Sequence, residues 1–132
     1  IIHLKEGKDI LLDSGVTLLN KNFTKVSKTP KSYAYCSDTR FSSTLSSKIK
    51  KVDVLYHEAT YCEKHKEIAV RTGHSTTKEA AEIAKKAKVN RLIIGHYSKR
   101  YSELDKLLIE CKEKFDNTFL ANEGDFLDFD TI

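Results

Sequence analysis

Residues 74–96 read HSTTKEAAEIAKKAKVNRLIIGH, and this stretch decides the fold. Thr76 and Glu79 have the spacing of a capping box, in which a hydroxyl and a carboxylate satisfy the free N–H groups of a helix start. Ala80, Ile83, Ala84 and Ala87 then recur on one helical face. Arg91 to Gly95 is a short apolar run that reads as a strand. A capped amphipathic helix leading into an apolar strand is the repeating element of an α/β fold.

The same order extends in both directions. Upstream, Tyr33-Ala34-Tyr35-Cys36 reads as a strand ending at Ser37-Asp38-Thr39, and Val52 to Glu58 reads as the next strand. Residues 41–51, rich in serine and lysine, can form a short helix between them. Downstream, Ser102 can cap a second helix with Leu104, Leu107, Leu108, Cys111 and Phe115 on one face. Thr118-Phe119-Leu120-Ala121 and Phe126-Leu127-Asp128-Phe129 read as strands around a turn at Glu123-Gly124. Residues 4–32 hold two glycine-marked pieces, Leu4-Lys5-Glu6-Gly7-Lys8 and Ile10 to Gly15, which suggest small antiparallel strands and a loop closing at Pro30. There is no internal repeat and no low-complexity linker.

Composition sets the outer bounds. The 132 residues make one domain or part of one, with 39% hydrophobic and 32% charged residues. No window is apolar enough for a transmembrane helix, so no membrane role is expected, and no N-terminal segment resembles a signal peptide. Cys36, Cys62 and Cys111 form no CxxC or CxxH pair, which fits a reducing cytoplasm better than a disulfide framework. The chain has no methionine, which leads to the expectation of a fragment or a processed product. All 23 Lys/Arg and 14 of the 19 Asp/Glu lie in residues 1–114, while the last 18 residues carry five acids and no Lys or Arg. A basic body suits a polyanionic partner such as nucleic acid, although composition alone favours a solvated lysine-rich surface.

The polar residues of interest sit at strand ends, where α/β folds place ligands. His96 follows the apolar run and Asp38 ends another strand. Aspartate and histidine both ligate zinc or manganese. Taken alone, however, His96 fits a hydrogen-bonded structural histidine and Asp38 a turn cap. Glu58, in His57-Glu58-Ala59-Thr60, beside a histidine such as His74 of His74-Ser75-Thr76 would make an acid–base pair. It could equally close a surface strand, with His74 marking a helix start. Arg100, next to Ser98 and Lys99, has the planar fork that holds phosphate, and also suits a helix start. His3, His65 and the cysteines lack an evident partner and are given no chemical role.

Taken in order, Ser37-Asp38-Thr39, His57-Glu58-Ala59-Thr60, Gly73-His74-Ser75-Thr76 and His96-Tyr97-Ser98-Lys99-Arg100-Tyr101 resemble the ribonuclease Z family, tRNA 3′-processing endonucleases of the metallo-β-lactamase superfamily. The HEAT and HST motifs are more specific than the superfamily-wide aspartate and histidine. Residues 4–8 and Ala121-Asn122-Glu123-Gly124 also look like this family, so the resemblance spans nearly the whole chain. It implies the C-terminal half of a metallo-β-lactamase αβ/βα sandwich, with residues 1–32 as small strands and a loop and 33–132 as the βα portion. It further implies a two-zinc phosphodiesterase that trims precursor tRNA after the discriminator nucleotide, cytoplasmic and homodimeric. By resemblance Asp38 bridges two zinc ions, His96 binds one, Glu58 and His74 assist proton transfer to the leaving group, and Arg100 with Ser98 lies near the scissile phosphate.

The departure from the family is large. Its other ligands come from an HxHxDH motif and a further histidine, whose aspartate is also the expected base, and no HxH or DH pair occurs here. The arm that grips tRNA is absent as well. A catalytic zinc typically needs three protein ligands plus water, so the chain alone is expected to bind zinc weakly or not at all and to leave tRNA uncut. Half a sandwich would also expose an apolar sheet face, covered by a dimer partner or by a segment outside this chain. Two alternatives remain: a non-catalytic interaction module of the same fold, and another phosphodiesterase of the superfamily with small substrates.

Overall fold

The computed structural model describes residues 2–25 and 29–129. Two compact units divide at residue 30. In the first, α1 (Ile2–Lys5) is a single helical turn, followed by β1 (Ile10–Leu11), β2 (Thr17–Leu18) and α2 (Asn20–Phe23). A small antiparallel pair is present, with Ile10 opposite Leu18 and Leu11 opposite Thr17, so its second strand lies just beyond the two glycine-marked pieces. The Leu4–Lys8 piece, expected as strand or loop, begins inside α1 instead. Glu6 and Lys8 N–H groups bond back to carbonyls of Ile2 and His3, closing the turn. Pro30 is described, while residues 26–28 of the expected loop lie outside the described residues.

The second unit carries a four-stranded, all-parallel sheet in the order β3-β4-β5-β6. Along the chain run β3 (Tyr33–Cys36), α3 (Leu45–Lys48), β4 (Val54–Glu58), α4 (Lys66–Thr72), α5 (Thr77–Ala87), β5 (Arg91–Gly95), α6 (Asp105–Lys112) and β6 (Thr118–Leu120). β4 starts two residues later than the Val52–Glu58 reading. The capping box at Thr76 is present in both directions, with Glu79 N–H donating to the Thr76 hydroxyl at 3.2 Å and Thr76 N–H to Glu79 at 2.9 Å. Lys88, at φ 54°, ends α5 in the left-handed region.

Strand alternation splits the sheet into two faces. Leu55, Leu92 and Ile94 are fully buried under Ala80, Ala81, Ile83, Ala84 and Ala87 of α5 and Cys111 of α6. The other face carries Tyr33, Tyr35, Tyr56, Ile93 and Phe119, of which Tyr33, Tyr35 and Phe119 are exposed. Tyr35 stacks on Tyr56 with ring centroids 4.6 Å apart. Arg91 and Lys112 lie over the Phe119 ring at 4.9 and 6.0 Å.

Two sequence readings are corrected. Ser102 does not cap α6; the helix starts after Leu104, which offers no capping side chain. The apolar face of α6 is nonetheless as read, with Leu107 and Cys111 buried and Phe115 packed against the core. Residues 126–129 form no strand, because no neighbouring strand takes up their hydrogen bonds, and Phe126 is 99% exposed.

Candidate active site and metal centre

In a parallel sheet every strand ends at the same edge. The register pairs Cys36 with His57 and Glu58 with Gly95. Asp38, Glu58 and His96 therefore gather at the carboxyl ends of three adjacent strands, where α/β sheets place their ligands. Asp38 and His96 share a backbone feature, with φ of 50° and 59°. This left-handed conformation is uncommon outside glycine, and aspartate and histidine are among the residues that adopt it. It turns the chain sharply off each strand and leaves His96 Nε2 3.0 Å from Asp38 Oδ1.

Beneath this pair lies Glu58, with no exposed surface. Its Oε1 accepts from Thr39 N–H at 2.8 Å and from His74 Nδ1 at 2.9 Å. Its Oε2 accepts the Thr60 hydroxyl at 2.5 Å, Ser75 N–H at 3.2 Å and Thr60 N–H at 3.3 Å. Burial alone would raise its pKa, yet the hydrogen bonds from Thr60, His74 and Ser75 outweigh it and hold the carboxyl below its ordinary value. One buried carboxylate thus ties together the loop after β3, the loop after β4 and the approach to α5. A second tie is the Ser75 hydroxyl, which donates to the Thr39 carbonyl at 2.7 Å.

Thr60 decides the protonation pattern. Its hydroxyl has one proton, given to Glu58 across the short 2.5 Å contact. The contact of 2.8 Å to His96 Nδ1 then requires Nδ1–H to be the donor. That leaves the Nε2 lone pair facing the Asp38 carboxylate, two acceptors 3.0 Å apart. Such a pair needs a cation between its members, a proton or a metal ion. The residues present therefore fit a metal, with Nε2 aimed by the Thr60 bond behind it. Asp38, His74 and His96 each offer a ligand atom within 4.8 Å of the others. The two imidazole rings lie 5.2 Å apart.

His74 is set for proton exchange as well. With Nδ1–H given to Glu58 at 2.9 Å, its Nε2 is the atom left for a ligand or a substrate. The run after His96 folds back on this centre. Ser98 N–H donates to the Thr60 carbonyl at 3.1 Å, Arg100 Nε donates to the Ser98 hydroxyl at 3.3 Å, and the Arg100 guanidinium lies 5.3 Å from the Tyr61 ring centroid. Tyr61 in turn sits edge-on to His74 at 6.2 Å.

All six residues singled out in the sequence fall in this region. Asp38, Glu58, His74 and His96 form one hydrogen-bonded group, and Ser98 and Arg100 join it through Thr60 and Tyr61. The role of Thr60 went unread, although it lies inside the HEAT motif. His65 and His3, read as lacking partners, have them. His65 Nδ1 lies 2.7 Å from the Tyr101 hydroxyl, and His3 Nδ1 lies 3.6 Å from Glu6. The three cysteines are free.

A parallel α/β sheet with an aspartate, a glutamate and a histidine at its strand ends is consistent with the metallo-β-lactamase fold. Residues 23–97 match the beta-lactamase superfamily domain, and the chain belongs to that superfamily. Within it, the chain is 46% identical over 121 residues to ribonuclease Z of Parabacteroides distasonis, a match covering 92% of this chain and 40% of that protein. The metallo-beta-lactamase fold protein YhfI from Bacillus subtilis superposes with a TM-score of 0.65 at 22% identity, over 71% of this chain and 38% of that one, a likeness of fold alone. A long form RNase Z from yeast aligns with a TM-score of 0.51 at 34% identity, over 55% of this chain and 10% of that one. The chain spans about 40% of the length of the curated relatives it matches. Among the described residues no helix is long and apolar enough to cross a membrane.

Proposed function

We propose that this chain is the C-terminal, βα portion of a ribonuclease Z-type endoribonuclease, which removes 3′ trailers from precursor tRNA. The observation that carries this reading is the HEAT and HST network around buried Glu58, joined through Thr60 to a facing Asp38–His96 pair. The 46% identity to a relative named ribonuclease Z supports the choice of substrate.

Each residue has a role in this scheme. Asp38 and His96 are two donors of a zinc centre whose remaining ligands come from outside this chain. Two zinc ions, when bound, would supply Lewis-acid activation of water and neutralise charge on the transferring phosphate. Glu58 holds the His74 imidazole oriented through Nδ1–H. His74 then passes a proton to the leaving oxygen of the scissile phosphodiester. Arg100, braced by Ser98 and Tyr61, supplies the planar donor fork for a phosphate oxygen. The assembled enzyme is proposed to be a cytoplasmic homodimer. Residues 1–132 are proposed as one half of its domain, with the exposed Tyr33, Tyr35 and Phe119 face packed on the other half.

The test compares two proteins on a precursor tRNA bearing a 3′ trailer: the 132-residue chain, and the same chain extended by its upstream segment. The chain alone is expected to leave the tRNA intact and to retain less than one zinc. The extended protein is expected to cut after the discriminator nucleotide. Zinc retention and cutting by the 132-residue chain alone would refute the half-site reading. An extended protein that hydrolyses a small chromogenic phosphodiester but leaves the tRNA uncut would refute the assigned substrate.

A further inference from the structure

Cys62, His65 and Tyr101 form a closed triangle away from the strand-end centre. Cys62 Sγ lies 3.3 Å from His65 Nδ1 and 3.3 Å from the Tyr101 hydroxyl, and the last two are 2.7 Å apart. The backbone orients the phenol, because Cys62 N–H donates to its oxygen at 3.1 Å. The phenol proton goes to His65 Nδ1 across the 2.7 Å contact while that nitrogen is bare, and turns to sulfur once Nδ1 carries a proton. Burial, reinforced by the bond to Cys62, pushes the Tyr101 pKa up to about 12, so the phenol stays protonated and remains a donor. Nothing in the proposed hydrolysis uses these three groups.

We propose that Cys62 is the reactive thiol of this chain, activated by His65 and Tyr101, and that it forms mixed disulfides with small anionic disulfides. The thiol proton passes to His65 Nδ1. Nδ1–H then donates to the phenol oxygen, the phenol O–H donates to the thiolate, and the imidazolium nitrogen lies 3.3 Å from sulfur, the surroundings that activate cysteine nucleophiles. In the exchange, the Cys62 thiolate attacks one sulfur of the disulfide R–S–S–R. A Cys62–S–S–R bond forms, the old S–S bond breaks, and the departing thiolate leaves as RSH with the proton held by His65. The disulfide is the only oxidant required.

The surroundings select both the residue and its reagent. Cys62 is partly exposed and lines an open cavity of about 440 Å³ together with Lys64, Arg100 and Lys106. Of the carboxylates there, Glu103 pairs with Lys106 at 2.7 Å and Glu110 accepts Glu63 N–H at 2.9 Å while keeping its charge, so Lys64 and Arg100 leave the lining with one positive charge in excess. Lys64 and Arg100 therefore present positive charge to an anionic reagent. The other two thiols are disfavoured. Cys111 is fully buried, with its pKa pushed up to about 12 by burial, and burial in β3 also raises that of Cys36.

The probe is 5,5′-dithiobis(2-nitrobenzoate), an anionic disulfide, added at neutral pH to the folded chain and to the chain in urea. One fast equivalent is expected from the folded protein and none from Cys62→Ser. In urea all three thiols are expected to react at one common, slower rate. His65→Gln should slow the fast phase about fivefold or more. A folded-state rate for Cys62 no faster than in urea, or an unchanged rate in folded His65→Gln, overturns the proposal. If circular dichroism shows His65→Gln unfolded, Tyr101→Phe decides: a slower fast phase supports the proposal and an unchanged one overturns it.

Discussion

Glu58→Gln tests the centre without relying on activity. The substitution keeps size and shape but replaces two acceptor oxygens with one oxygen and an NH₂ group. The carboxylate now accepts five hydrogen bonds in a fully buried position. The best placement of glutamine puts its oxygen where Oε2 was, keeping Thr60 and Ser75. Its NH₂ then faces His74 Nδ1, which can accept by changing tautomer, and Thr39 N–H, which cannot. One buried donor is left unsatisfied, worth about 1–3 kcal/mol, and the surviving bonds lose their charge assistance. A total loss of about 3 kcal/mol at pH 7 follows, which lowers the urea midpoint by roughly 1.5 M for a slope near 2 kcal/mol/M. Far-UV circular dichroism in urea reads it. The pH dependence carries a second signature. A carboxyl held below its ordinary pKa stabilises the fold above the ordinary value, and this contribution is lost as pH falls through the lowered folded value. The gap between native chain and Glu58→Gln should therefore narrow only below about pH 4.5. A loss under about 0.5 kcal/mol at pH 7, well below what one buried unsatisfied donor costs, would refute the network reasoning. So would a gap that stays constant into acid.

Three further outcomes follow from the same coordinates. A Cβ on Gly95 would lie 2.7 Å from Tyr56 Cζ and closer still to its hydroxyl, so Gly95→Ala should cost about 1–3 kcal/mol by overpacking, and much less in a Tyr56→Ala background; urea melts of the four proteins check it. His57 is fully buried, with Nδ1 bonded to the Glu58 carbonyl at 2.7 Å and Nε2 without a partner, and burial lowers its pKa. As pH falls below about 6.5 the unfolded chain gains a proton that the folded chain resists, so stability falls; in His57→Asn, which keeps a donor near the Nδ1 position, melts at pH 5 to 7 should show that part of the decline removed. The exposed Tyr33, Tyr35 and Phe119 face should make the isolated chain self-associate, and light scattering showing a stable monomer at micromolar concentration would count against a missing partner layer.

What the sequence disclosed, and what it hid, follows from where each signal resides. α5 and β5 were legible because a capping box and a 3.6-residue apolar stripe are local features. α4 was not, because only Ala69 of its seven residues is buried and no stripe marks it. The apolar residues at 126–129 suggested a strand, but a strand exists only if a neighbour pairs with it. At the site, the motifs identified Asp38, Glu58, His74 and His96, while their arrangement depended on parallel register and on two left-handed backbone positions. Neither is written in residue type. The partners of His65 were hidden for a similar reason, since Tyr101 lies 36 residues away along the chain.

Thr60 shows how two facing donor groups can be prepared within this chain alone. A hydroxyl with a single proton cannot donate to both Glu58 and His96, and the shorter contact settles which receives it. The tautomer of His96 follows from that choice, and from the tautomer follows a lone pair aimed at Asp38. Each step uses only residues of this chain. The cation-demanding pair is thus built by a buried carboxylate two contacts away and does not depend on the ligands expected from outside. That separation explains how the HEAT glutamate reaches both His74 and His96. One face of Glu58 holds the imidazole assigned to proton transfer, and the other, through Thr60, fixes the imidazole assigned to the metal.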